Sequence, residues 1–173
     1  MNKKYILVDF FDTLVKRKVS HHTIKFLTMK KIGEDLNYRV DFQTLFEYRL
    51  AAEIDLQTIN KKEDNEFTFY ELAEKILDKI ETYNEIKLNK AEFIEKFIKV
   101  NNEYEMNNLC SNVKLIHKLK NMKKQGCKIF CVTDSEYPLN FYSNAFDKLD
   151  LNDLVDKIYV SSEYKKSKRS GKL

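Results

Sequence analysis

The apolar run Tyr5-Ile6-Leu7-Val8 ends in Asp9 at the start of the chain, and a comparable run returns only at Lys128-Ile129-Phe130-Cys131-Val132, which ends in Thr133. Between about residue 15 and about residue 120 the chain reads as mostly helical, because three Gly and one Pro leave it little turn punctuation. One strand, a long helical stretch and then an α/β unit are best met by a helical insertion after the first strand. Residues 1–15 and 111–173 are therefore expected to form an α/β core, and residues 16–110 a helical cap. The first strand is expected to be buried, with the cap emerging at the C-terminal edge of the sheet, where ligands bind in open α/β folds, and lying over Asp9.

Within the insertion, Phe42, Leu45, Phe46, Arg49, Leu50 and Glu53 recur at three- and four-residue spacings, as do Phe69, Leu72, Ala73, Ile76, Leu77 and Ile80. Both patterns predict amphipathic helices, joined by a charged loop over Asn60 to Asn65. A further helix runs through Phe93, Ile94, Phe97 and Ile98, with Asn89 as its cap. The next, through Val113, Ile116, His117, Leu119 and Met122, stops at Gly126. Residues 128–132 then read as a strand buried on both faces, with Thr133-Asp134-Ser135 as its turn. A helix from about Leu139 to Leu149 leads to the short strand Ile158-Tyr159-Val160, so the sheet is expected to be parallel.

Composition narrows the function classes. A chain of 173 residues, 43% hydrophobic and 34% charged, suits one globular domain with an inserted subdomain. Its +4 charge comes from 31 basic and 27 acidic residues spread along the chain, which gives no argument for nucleic acid. No apolar run reaches signal-peptide or membrane-spanning length, so a cytoplasmic protein with no membrane contact is expected. Cys110, Cys127 and Cys131 have no CxxC spacing and read as reduced thiols. His21 and His22 have no metal-ligand spacing around them.

Parallel strands bring their C-terminal ends together, which places Asp9, Thr133 and the Ser161-Ser162 turn with its following lysines at one edge. A carboxylate nucleophile, a hydroxyl and an ammonium make up most of a phosphoryl-transfer site. Blander readings exist for each. Asp9 can cap a turn, Thr133 can simply end a strand, Lys165, Lys166, Lys168 and Lys172 can form a solvated tail, and Arg49 with Glu53 can form a surface salt bridge.

Asp9-Phe10-Phe11-Asp12-Thr13-Leu14, Thr133-Asp134, Arg49-Leu50-Ala51-Ala52-Glu53, and Ser161-Ser162 with Lys168-Arg169-Ser170-Gly171-Lys172-Leu173 stand in an order that resembles the haloacid dehalogenase (HAD) superfamily. They are most similar to its subgroup with an Asp-x-Phe-Asp-Thr-Leu first motif, often associated with bacterial glycosyltransferases. The resemblance implies a HAD-like Rossmannoid parallel sheet with a helical cap. It implies Asp9 as nucleophile, Thr133 and Lys168 as catalytic partners, and Phe10, Phe11, Thr13, Asp134 and Arg49 around the substrate. It also implies magnesium held by Asp9 and the Phe11 carbonyl. The reaction implied is hydrolysis of a small phosphorylated metabolite, a sugar phosphate among them, through an aspartyl-phosphate. The alternative is a catalytically inactive HAD-like domain that binds a partner protein such as a glycosyltransferase, and a third option is a dehalogenase.

Two departures accompany the resemblance. The superfamily's general acid stands two residues after the nucleophile, where this chain has Phe11; Asp12, one residue later, is the candidate to replace it, or else caps the turn. The fourth motif, a later Gly-Asp-x-x-x-Asp loop with magnesium ligands, has no counterpart, so the sheet is expected to be incomplete at its C-terminal side and the metal site poor.

Overall fold

The computed structural model describes residues 4–63, 65–168, 171 and 173, the side chains of 61–63 excepted. Arg169, Ser170 and Lys172 of the expected tail motif lie outside the described residues. In chain order the elements are β1 (Tyr5–Val8), β2 (Val15–Arg17), α1 (His21–Asp35), α2 (Phe42–Glu63), α3 (Phe69–Asn84) and α4 (Lys90–Asn107). There follow β3 (Leu109–Ser111), α5 (Val113–Lys124), β4 (Lys128–Thr133), α6 (Leu139–Lys148), β5 (Lys157–Val160) and α7 (Ser161–Tyr164). The chain divides into two units, one made of Met1–Lys18, Asp64–Glu66 and Asn108–Leu173, the other of Val19–Glu63 and Phe67–Asn107.

In the first unit β1, β4 and β5 form a parallel sheet in the order β1-β4-β5. Its register pairs Val8 with Cys131 and Thr133 with Val160, so the strands end close to one level. Helix α5 stops where Gly126 takes φ +87, a left-handed conformation that costs glycine little. The core gathers Phe10, Ile129, Cys131, Phe141, Tyr142, Phe146 and Val160, all 2% exposed or less. A second, antiparallel ribbon pairs β2 with β3, Val15 opposite Ser111 and Arg17 opposite Leu109. This corrects the expectation of helix from residue 15. The outgoing and returning chain satisfy each other's backbone groups, which three-residue runs do not advertise in their composition.

The second unit is helical. Within it α1 packs on α2 and α4, and α3 packs on the same two. The spacing expected of α3 is met residue for residue, since Phe69, Leu72, Ala73, Ile76, Leu77 and Ile80 are all buried. Thr68 and Glu71 close a capping box at its start, worth about 1 kcal/mol. Asn89 accepts from Glu92 N at 3.1 Å and so caps α4 as its sequence suggests. Helix α2 runs on through Glu63, where a loop from Asn60 was expected, and Asn60 lies within it with its amide donating to Leu56 O at 2.9 Å.

The strands also depart from expectation in burial. Tyr5 and Leu7 are 62% and 70% exposed, so β1 is a half-open edge strand rather than a buried one. On β4 only Ile129, Cys131 and Thr133 are buried, while Phe130 and Val132 on the other face are half-buried. Helices cover one face of this sheet, and the burial on both faces read from the apolar run is met on one alone. Among the described residues no helix is long and apolar enough to cross a membrane.

Candidate active site

Asp9 leaves the end of β1 and enters a turn that folds back on itself, with Leu14 N donating to Asp9 O at 3.3 Å and Val15 N to Phe10 O at 3.0 Å. Asn112, just before α5, ties this turn down. Its side-chain amide donates to Thr13 O at 2.8 Å and its backbone N to Leu14 O at 2.9 Å. The turn therefore has little freedom to carry Asp9 away from the strand end, the kind of support that holds a reacting carboxylate in place.

Lys168 reaches Asp9 from the far end of the chain. Its Nζ lies 3.1 Å from Asp9 Oδ1, with the two side chains 40% and 39% exposed, and it also donates to Val132 O at 3.3 Å. Its backbone N donates to Asp134 Oδ1 at 2.7 Å, which fixes the lysine to the turn after β4. That approach is braced by Ser135 and by the Ser161-Ser162 turn that precedes the lysines. Ser135 N donates to Ser161 Oγ at 2.8 Å and Ser162 Oγ donates to Tyr137 O at 3.1 Å. Lys165 then turns the chain back through φ +51, and Lys166 N donates to Ser161 O at 3.2 Å.

Thr133 ends β4, two residues beyond the Cys131 that pairs with Val8, and only 1% of it is exposed. The Tyr142 hydroxyl is buried beside Ser135 and Thr133 and meets neither at full hydrogen-bond geometry. Burial pushes that phenol far above its ordinary range. Burial also pushes the Cys131 thiol up to about 12, with the Asp9 charge adding to the effect and Lys168 opposing it. A thiol so raised stays protonated at neutral pH and is no nucleophile. Asp9 and Lys168 thus act electrostatically on the floor of the strand ends as well as on each other.

The position at which the resemblance sets a general acid, Phe11, lies in an aromatic cluster. Phe11 packs against Phe10, Tyr137, Phe141 and Tyr142, with ring centroids 4.9 to 6.3 Å apart. The Arg17 guanidinium lies over the same ring, 3.8 Å from its centroid. Arg17 also lies 3.7 Å from Asp12, whose side chain is 79% exposed and whose backbone takes φ +57. No sequence pattern pointed to Arg17, which becomes visible only once the chain turns back through β2.

Arg49 belongs to the helical unit and is fully buried there. Its Nε donates to Glu53 Oε1 at 3.1 Å and its Nη1 to Asn101 Oδ1 at 2.8 Å, and its guanidinium lies 5.3 Å from the Phe97 ring. Lys25 Nζ donates to the other Glu53 oxygen at 2.5 Å. The surface salt bridge weighed from the i, i+4 spacing is in fact an interior network. Its guanidinium is used inside this unit.

Among the described residues no group of three or more His, Cys, Asp or Glu side chains is placed to hold a metal ion. Asp9 is engaged by Lys168, Asp134 by the Lys168 N-H, and Asp12 faces Arg17. Magnesium takes six oxygens in near-octahedral order, and Asp9 with the Phe11 carbonyl falls well short of that. The described residues do not by themselves fit the ion.

No family model matches the chain, and no curated protein matches it. Solved structures do. YfnB from Bacillus subtilis, assigned as a HAD-hydrolase and bound to magnesium, aligns at TM-score 0.60 and 15% identity, covering 94% of this chain and 65% of that one. A Thermotoga maritima protein assigned as a beta-phosphoglucomutase aligns at TM-score 0.57 and 14% identity, over 95% and 64%. The L-2-haloacid dehalogenase of Xanthobacter autotrophicus aligns at 0.53 and 8%, over 96% and 60%. At such identities the likeness shows the fold, an α/β HAD-like parallel sheet with a helical insertion after its first strand. The chain spans 60% to 65% of the length of these structures.

Proposed function

We propose that the chain is a phosphohydrolase that acts on small phosphorylated metabolites, sugar phosphates included, through an aspartyl-phosphate. The contact between Lys168 Nζ and Asp9 Oδ1 at 3.1 Å carries this reading. A carboxylate held at a strand end beside an ammonium can take up a phosphoryl group whose negative charge the lysine then offsets. Asp9 Oδ attacks phosphorus, the bond from phosphorus to the leaving oxygen breaks, and the leaving group departs with that electron pair. Water then cleaves the aspartyl-phosphate to inorganic phosphate and restores Asp9. On this reading Thr133, at the end of the neighbouring strand, and the backbone of Phe10 and Phe11 would hold the phosphoryl oxygens, and Thr13 and Asp134 would border the substrate. Arg49 enters only as a packing residue of the helical unit. Magnesium is implied by the resemblance, and when bound it would offset the charge of the transferred phosphoryl group.

Phe11 sets a condition on the substrate. With no carboxylate at that position the leaving oxygen must depart unprotonated or take its proton from solvent, and a positioned general acid contributes about 10²- to 10⁴-fold. An aryl phosphate, whose leaving group needs little help, should be hydrolysed about a hundredfold faster or more than an alkyl phosphate of similar size. Steady-state phosphate release from such a pair, in the presence of magnesium, tests this. Equal rates would mean that another group, Asp12 first among the candidates, supplies the proton.

A second reading is favoured by the aromatic cluster around Phe11 and by the lack of a metal-ligand group among the described residues. On it the chain is an inactive HAD-like domain that binds a partner protein, a glycosyltransferase among the candidates. It requires that no phosphorylated compound be turned over, and no halide be released from a 2-haloacid.

A further inference from the structure

We propose that Tyr142 is a positioning residue for Thr133, its hydroxyl donating to Thr133 Oγ1 so that the threonine's own proton is left for a phosphoryl oxygen. This role rests on the phosphohydrolase reading of the same site. Tyr142 belongs to α6, where its ring stands edge-on to Phe10 at 4.9 Å and to Phe141 at 5.4 Å, with Phe11 at 6.1 Å. That packing carries its hydroxyl beside Thr133, the last residue of β4, and beside Ser135 in the segment that follows.

The ring contacts alone do not call for a hydroxyl. Tyr142 is fully buried, and its hydroxyl has no hydrogen-bond partner at full geometry. A phenylalanine would pack in the same way, as Phe10, Phe11 and Phe141 do around it, without burying an unmatched polar atom. Such atoms are rare in folded chains, and hydrogen bonds that serve a reaction often close only once the ligand is in place.

The neighbouring groups identify the partner. Ser135 is engaged elsewhere, with its Oγ accepting from Tyr137 N at 3.1 Å and its N donating to Ser161 Oγ at 2.8 Å. Thr133, 1% exposed at the strand end, is the hydroxyl left to receive the phenol's hydrogen bond. Burial pushes the Tyr142 phenol far above its ordinary range, so it keeps its proton at neutral pH and can donate it. A threonine hydroxyl has one proton and two lone pairs, and a phosphoryl oxygen only accepts. With one lone pair taken by Tyr142, Thr133 presents its proton to the phosphoryl oxygen, and linked hydrogen bonds of this kind polarise one another.

The test compares wild type, Tyr142→Phe, Thr133→Val and the double variant in two readouts, both with magnesium. These are binding of inorganic phosphate followed by phosphorus NMR, and kcat/KM for an aryl phosphate. Tyr142→Phe is expected to weaken phosphate binding about fivefold and to lower kcat/KM by at least as much, the loss of one hydrogen bond. It should nevertheless melt at or above the wild-type temperature, because it removes an unmatched buried hydroxyl. A packing role would move stability and binding together. In the Thr133→Val background Tyr142→Phe should cost nothing further, and in a Thr133→Ser background its cost should return. Circular dichroism checks that each variant folds, and Thr133→Ala replaces Thr133→Val in the cycle should the valine variant not fold. Tyr142→Phe equal to wild type in both readouts, a loss that adds to that of Thr133→Val, or a loss with a lowered melting temperature would overturn the role of Tyr142 alone. A wild-type chain that neither binds phosphate nor releases it would overturn that role together with the phosphohydrolase reading.

Discussion

Asp9→Asn is expected to lower phosphate release from an aryl phosphate by about a thousandfold or more, with the fold intact. The amide has the size of the carboxylate and cannot form the covalent intermediate, so the loss falls on the chemical step. The two side chains at the contact are 39% and 40% exposed, and an ion pair so open to solvent adds little to stability. Asp9→Asn should therefore melt close to wild type, and thermal unfolding followed by circular dichroism separates lost chemistry from lost structure. Lys168→Ala should fall between the two, because the ammonium compensates charge and does not itself form the bond. If Asp9→Asn and wild type release phosphate at the same rate, Asp9 is not the nucleophile.

Glu53→Ala is expected to destabilise the protein by about 3 to 5 kcal/mol. Glu53 is 6% exposed and accepts from both Arg49 and Lys25. Removing it leaves two cations facing each other, one of them fully buried. An exposed pair at the same i, i+4 spacing would be worth only a few tenths of a kcal/mol, so the size of the effect decides between surface and interior. The network has a weak point, since Arg49 Nη2 is buried without a hydrogen bond. The double variant Arg49→Met with Glu53→Met should for that reason recover much of the loss, as apolar replacements of buried ion pairs often do. Urea unfolding measures both. A Glu53→Ala cost within a few tenths of a kcal/mol would place the pair in solvent and contradict the interior network.

What could be read from the chain followed from local rules. β-branched and aromatic runs marked β1, β4 and β5, Gly126 marked the end of α5, Asn89 marked the start of α4, and the periodicity of α3 marked its buried face. What could not be read depends on which elements meet. Arg49 and Glu53 look alike on a surface helix and in a core, and only the arrival of Asn101 and Lys25 from other helices decides. The apolar run of β4 suggested burial on both faces, but apolar character says what a strand can bury and not what lies beside it. Resemblance singled out Lys168 among neighbouring lysines. Its approach to Asp9, however, depends on Ser161 meeting Ser135 N and on a left-handed Lys165; the motif named Ser161 but not its partner, and nothing in the sequence marked Lys165. The pairing of Arg17 with Phe11 was equally hidden, since β2 and β3 are three residues long and carry no alternation.

The most direct test of Asp9 as phosphoryl acceptor is mass spectrometry of the chain quenched in acid during turnover of an aryl phosphate. One phosphoryl group on the peptide that carries Asp9, absent from Asp9→Asn, is the expected result. Phosphate release with no modified peptide, a phosphoryl group on any other residue, or neither release nor modification would contradict it.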